Sequence, residues 1–168
     1  MNGRTLATAL VMLVGAATTA TAQTPTLLKQ EGDWAAYGYT AGGGKVCYAI
    51  SQPKELLPKG VNRDPVYMFV TNRPKEGVSH EVSVITGYPY KEGSKTNIKI
   101  GSNTFALYTK DDGAWVENAA EENRLIGAMK AGADMVITGT SRRGTVTTDT
   151  YSLKGITAAL KVIDTECK

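Results

Sequence analysis

From about residue 33 onward, apolar and polar side chains alternate in short blocks, each closed by residues that favour turns. A repeat of two is the mark of strands with one buried face. It predicts strands near 33–40, 45–51, 65–71, 80–86, 96–101, 104–109, 135–141 and 145–153. The breaks have chemical reasons. Gly42, Gly43 and Gly44 take positive φ without steric cost, Glu92 with Gly93 suits a turn, and Asp111-Asp112-Gly113 and Arg142-Arg143-Gly144 suit hairpin tips. Strands of this length and spacing imply a mainly β fold, an antiparallel β-sandwich or barrel-like domain.

Two stretches abandon the repeat of two, and they add one internal helix and one C-terminal helix. Asn118-Ala-Ala-Glu121 reads as a capping box, in which Asn118 accepts from the Glu121 amide while Glu121 reaches back. Leu125, Ile126 and Met129 follow as an apolar face, Lys130 complements the dipole, and Gly132 is expected to end the helix in the left-handed region. Near the other end Ser152 is the expected cap of a segment in which Leu153, Ile156, Leu160, Ile163 and Cys167 recur every three or four residues. At about 100° per residue these form one stripe.

The N-terminus changes the picture. Arg4, an uncharged apolar run over 6–17 and the triplet Ala20-Thr21-Ala22 read as a secretory signal peptide over 1–22. The run is about a dozen residues, against roughly 20 needed to cross a bilayer as a helix, so no transmembrane span is expected. Residues 23–32 read as a polar linker and 33–168 as a single β-rich domain. The expected location is the periplasm, or secretion to the outer surface.

In an oxidising compartment the two cysteines, Cys47 and Cys167, read as one structural disulfide. A redox or metal pair is the weaker alternative, because there is no C-x-x-C spacing and His80 is the only histidine. The bridge would clamp the terminal helix onto the second predicted strand, with Val46, Tyr48 and Ile50 on the face opposite Cys47. Nineteen basic and sixteen acidic side chains give a formal net charge of +3 with no long run of one sign, which speaks against a nucleic-acid partner.

Assembled chemistry is hard to find. His80 lies in a predicted strand with Ser79 and Glu81 on the opposite face, so it reads as a solvent-facing or edge residue rather than a base. Asp111 with Asp112, and Glu121 with Glu122, could suggest glycoside hydrolysis, but turn and helix-start preferences explain both pairs. No catalytic residue, metal ligand or cofactor is therefore expected. Two surface features stand out as candidate partner contacts: Tyr88 and Tyr90 flanking Pro89 in a loop, and Arg142 with Arg143, a cationic spot suited to lipid phosphates or carboxylates.

Several stretches resemble the invasion-associated locus B family of α-proteobacterial envelope proteins. They are Trp34-Ala-Ala-Tyr37, Lys45-Val-Cys-Tyr-Ala49, Arg63-Asp-Pro-Val-Tyr67, Val70-Thr-Asn-Arg-Pro74, Glu81-Val-Ser-Val-Ile-Thr-Gly-Tyr-Pro-Tyr-Lys-Glu-Gly-Ser94, Ala114-Trp115, Met129-Lys130, Ser141-Arg-Arg-Gly-Thr145 and Asp149-Thr-Tyr-Ser-Leu-Lys-Gly155, followed by the late Cys167. The resemblance implies an envelope role, linked in pathogenic relatives to host-cell invasion, and it implies no reaction. The leading expectation is a non-enzymatic binding or structural protein whose partner is a protein or an envelope component. A periplasmic hydrolase acting on an envelope substrate is the alternative.

Overall fold

In the computed structural model, which describes residues 24–168, the alternation resolves into one antiparallel sheet. Its strands are β1 (Thr26–Glu31), β2 (Trp34–Ala41), β3 (Gly44–Ser51), β4 (Glu55–Leu57), β5 (Tyr67–Arg73), β6 (Val78–Ile85), β7 (Lys95–Ile100), β8 (Asn103–Lys110), β9 (Gly113–Trp115), β10 (Asp134–Thr140) and β11 (Val146–Ser152). They lie side by side in the order β1-β2-β3-β5-β6-β9-β8-β7-β10-β11-β4. Helices α1 (Ala119–Ala131) and α2 (Ile156–Glu166) complete the fold. The expected signal peptide falls outside the described residues.

All eight predicted strands form, and the hairpin tips fall where turn chemistry places them. Asp111 takes the left-handed conformation between β8 and β9, and Gly144 does so between β10 and β11. The expected linker is a correction: most of it is β1, which pairs with β2 through a register shift between Leu27 and Lys29. Its sequence hides this because Leu27 and Leu28 are adjacent and Leu27 is exposed, so no alternation survives.

The sheet curls until its distant parts meet. The Asp33 amide donates to the Lys154 carbonyl (3.0 Å), and the Trp34 indole N–H donates to the Ser152 carbonyl (3.0 Å). Two glycines face each other across this seam, both with positive φ. A Cβ at Gly32 would sit 2.6 Å from the Lys154 carbonyl oxygen, and one at Gly155 would sit 1.9 Å from that of Glu31. Only glycine allows main chain to approach main chain so closely.

Inside the curl, Trp34, Met68, Ile98, Leu107, Met135, Ile137 and Tyr151 from the strands meet Leu125 and Met129 of α1 and Ile156, Leu160 and Ile163 of α2. Helix α2 packs across β1, β2, β3 and β5. The predicted stripe from Leu153 to Cys167 is buried throughout, and Cys167 is bonded to Cys47 on β3.

Helix ends follow the sequence only in part. Asn118 Oδ1 accepts from the Glu121 amide (3.0 Å), whereas the Glu121 carboxylate turns to Arg124 instead of reaching back. Glu122 accepts from the Val82 amide (2.7 Å) and so ties α1 to β6; burial raises its carboxyl above the ordinary value despite that bond. Gly132 ends α1 in extended rather than left-handed backbone (φ −86°). A Cβ there would meet Ile100 at 2.6 Å and Leu153 at 2.9 Å, so closeness rather than handedness requires glycine. Ser152 does not cap α2: it is the last residue of β11, its hydroxyl accepts from the Lys154 amide, and Gly155 takes the cap position without a side-chain bond. Asn118→Ala should therefore cost about 1 kcal/mol, read as a lower urea midpoint with an unchanged slope.

Candidate functional site

At one end of the sheet three loops converge. The segment before β5 brings Arg63, the turn after β6 brings Tyr88 and Pro89, and the β10–β11 tip brings Ser141, Arg142 and Arg143. Tip and turn are fastened by backbone: the Arg142 amide donates to the Pro89 carbonyl (2.8 Å), and Tyr90 forms a bridge pair with Ser141. Between them lies an open cleft of about 470 Å³, lined also by Val61, Asn62, Thr145 and Thr147. Its volume is within the usual range for a small-molecule site.

Its back wall includes Arg63, which is held from behind by a buried ion pair. Arg63 grips Asp149 of β11 with both terminal nitrogens (2.7 and 2.6 Å), while its Nε and Nη2 donate to the Thr86 carbonyl (3.0 and 2.9 Å). Side-chain exposure is 6% for Arg63 and 1% for Asp149. Burial opposes the guanidinium charge, but the bonds to Asp149 outweigh it and hold the group above its ordinary value. The same guanidinium lies 5.0 Å over the Tyr88 ring, whose hydroxyl meets Thr147 Oγ1 at 2.6 Å. Arg63 is thereby fixed on every side, so it shapes the cleft and holds its wall rather than reaching out.

The front differs. Arg142 and Arg143 are exposed, and neither is ion-paired among the described residues. A fixed cation–aromatic wall behind two unpaired guanidinium groups can receive a planar or tetrahedral anion through bidentate bonds.

A family model for the invasion associated locus B (IalB) protein matches residues 34–164. The chain belongs to the IalB family. Among solved structures, the crystal structure of invasion associated protein B from Bartonella henselae is similar, with a TM-score of 0.61 and 15% sequence identity, covering 84% of this chain and 97% of that one. That likeness shows a shared mainly β fold. No curated protein matches at a significant level.

Within this IalB fold the candidate contact residues separate. Tyr88, Arg142 and Arg143 line the cleft together. Tyr90 does not: its ring is 5% exposed, packs edge-on against Tyr88 at 5.4 Å, and is withdrawn into the core. Burial lifts the phenols of Tyr90 and Tyr151 far above their ordinary range. Arg63 is not marked out by its own stretch of sequence, because its partner Asp149 is 86 positions away. The only local hint was an arginine in a loop beside a Pro-containing turn.

His80 also departs from expectation. A bulge between β5 and β6 gives it positive φ and turns its ring inward, where Nε2 meets Asp164 Oδ1 of α2 at 2.7 Å. Asn72 completes the group, accepting from the His80 amide (2.8 Å) and donating to the same Asp164 oxygen (2.9 Å). Since Asn72 is the register partner of Cys47, this polar group sits beside the disulfide and fastens α2 to the sheet. The paired carboxylates lie elsewhere, with Asp111 and Asp112 in an exposed turn and Glu121 and Glu122 in the first turn of α1.

Proposed function

We propose that this IalB-family chain is exported and works outside the cytosol as a non-enzymatic binding protein, seating an anionic group of a protein or envelope component in the arginine cleft. The observation that carries this reading is the pairing of two exposed, unpaired guanidinium groups, Arg142 and Arg143, with a wall that Arg63 and Tyr88 hold rigid. A preformed wall lowers the ordering cost of binding, and unpaired guanidinium groups lose no existing ion pair when they engage a ligand. Export is supported by the leader pattern over 1–22 and by the Cys47–Cys167 bridge, a bond that persists in oxidising compartments. No helix among the described residues is long and apolar enough to cross a membrane.

The test is a titration of the purified protein with citrate and with inorganic phosphate, followed by backbone NMR. Resonances of residues 87–89 and 141–145 should move, and Arg142→Ala combined with Arg143→Ala should weaken binding at least tenfold while leaving the unfolding midpoint unchanged. Uniform small shifts that survive in the double variant would remove the cleft from consideration. Release of soluble fragments from cell-wall sacculi or lipid by the purified protein would overturn the non-enzymatic reading. N-terminal sequencing of the exported form, expected to begin at Gln23, tests export itself.

A further inference from the structure

More than half of the chain's aromatic side chains lie on the outer face of the sheet, away from both helices. Across β2, β3 and β5 they form a ladder. Tyr37 stacks on its register partner Tyr48 (centroids 5.5 Å, planes 13° apart), Tyr39 meets Tyr48 edge-on (6.3 Å), Tyr48 meets Phe69 (5.7 Å), and Phe69 meets Tyr67 (5.9 Å). Through the register partners Phe69, Ser83 and Trp115 the band continues to Tyr108, which stacks on Trp115 at 5.8 Å and is 43% exposed. None of these rings is needed to fill the core, which is packed on the other face.

At the head of the ladder the surface is hollowed to about 630 Å³. Tyr37, Tyr48 and Tyr67 contribute flat rings, and Gln30, Asp33, Gln52 and Lys54 supply polar groups around them. The charges cancel: Asp33 is paired with Lys54, whose hydrogen bond holds the Asp33 carboxyl below its ordinary value. Further along the face Arg73 is paired with Glu81 and Glu76, and Lys95 with Glu117. We propose that this hollow and the ladder leading from it bind an uncharged saccharide chain.

Three features select that ligand. The lining is aromatic with phenol and amide edges, which complements a ring that is apolar on its faces and hydroxylated at its rim. Its charges are internally balanced, so an ionic ligand gains nothing there, in contrast to the arginine cleft. The rings stand on the face of inner strands, where no backbone donors or acceptors are free, so an extended peptide could not add itself as a strand. Stacked rings crossing several strands offer successive platforms, which suits an oligomer better than a single sugar.

Cellohexaose, maltohexaose and fully N-acetylated chitohexaose, all uncharged, are the probes, each titrated into the exported form and followed by calorimetry and by NMR of the aromatic rings. At least one hexaose should bind and shift the rings of Tyr37, Tyr48 and Tyr67. Tyr67→Ala, and Tyr48→Leu, which keeps the apolar volume but removes the flat ring, should each weaken it at least tenfold. Arg142→Ala with Arg143→Ala should leave it unchanged, so this site and the cleft fail or stand separately. The proposal is overturned if no hexaose binds at millimolar concentration or if both tyrosine variants bind as the parent does. It is equally overturned if sedimentation shows a dimer dissociated by Tyr67→Ala, which would make a second copy the occupant.

Discussion

Arg63→Met is expected to destabilise the protein by about 3–5 kcal/mol, because it leaves Asp149 buried and without its cation. Four hydrogen bonds disappear together, two to the Asp149 carboxylate and two to the Thr86 carbonyl. The contact over the Tyr88 ring goes with them. Removing both charges should be far milder: Arg63→Met with Asp149→Leu leaves no orphaned ion, and replacing a buried ion pair by apolar groups is often close to neutral. Urea unfolding of the parent, both single variants and the double variant gives the coupling directly. A double variant as unstable as Arg63→Met alone would mean that packing around the loop and the bonds to the Thr86 carbonyl, not the charge pair, supply the stability. Because Arg63 lines the cleft and Asp149 holds it there, Arg63→Met should also weaken binding of any ligand held by Arg142 and Arg143, although Arg63 is fully engaged within the protein.

The other large effect belongs to the disulfide. Cys47 and Cys167 are 120 positions apart, and the chain-entropy model gives about 4.7 kcal/mol for a loop near 100 residues. Native disulfides in small exported domains are typically worth about 2–5 kcal/mol. Cys47→Ala with Cys167→Ala should therefore lose several kcal/mol, lowering the melting temperature by roughly 10 °C for a chain of this size. Reducing the parent protein should bring it to the same midpoint. Neither treatment should loosen α2 completely, since Asn72, His80 and Asp164 fasten the same helix turn beside the bridge. Hydrogen exchange along Ile156–Glu166 reports how much each contributes. A midpoint indifferent to reductant would show that the two sulfurs are not joined in solution.

What could be read from the residues depended on whether a signal was local. Eight strands and both helices were legible because each repeats its apolar positions over several residues, and the hairpin tips were legible because Asp111-Asp112 and Arg143-Gly144 carry their own turn chemistry. Strands β4 and β9 have three residues each, too few to show a repeat. Strand β1 is a strand because β2 offers it a partner, a tertiary cause that its own residues do not display.

Alternation is interrupted at one place, just before His80, where an inserted residue reverses which way the following side chains face. Half of the cleft was visible in the Arg142-Arg143 tip. The other half rests on Arg63 and Asp149, which only the folded chain brings together. The aromatic face was hidden for a related reason: alternation says that Tyr37 and Tyr39 share a side, but not that Tyr48 on the next strand joins them, nor which side the helices cover.

The seam at Gly32 and Gly155 has a consequence for how the family's sequences can drift. Each position is obstructed by carbonyl oxygen rather than by a neighbouring side chain, so no compensating substitution nearby can make room. An evolutionary path that alters either residue must first shift the main chain of both turns. Parting the turns would not free the other position, whose positive φ still disfavours a side chain. The two sites, far apart in the chain, thus answer to one main-chain seam, and in an alignment both should stay glycine wherever that seam is kept.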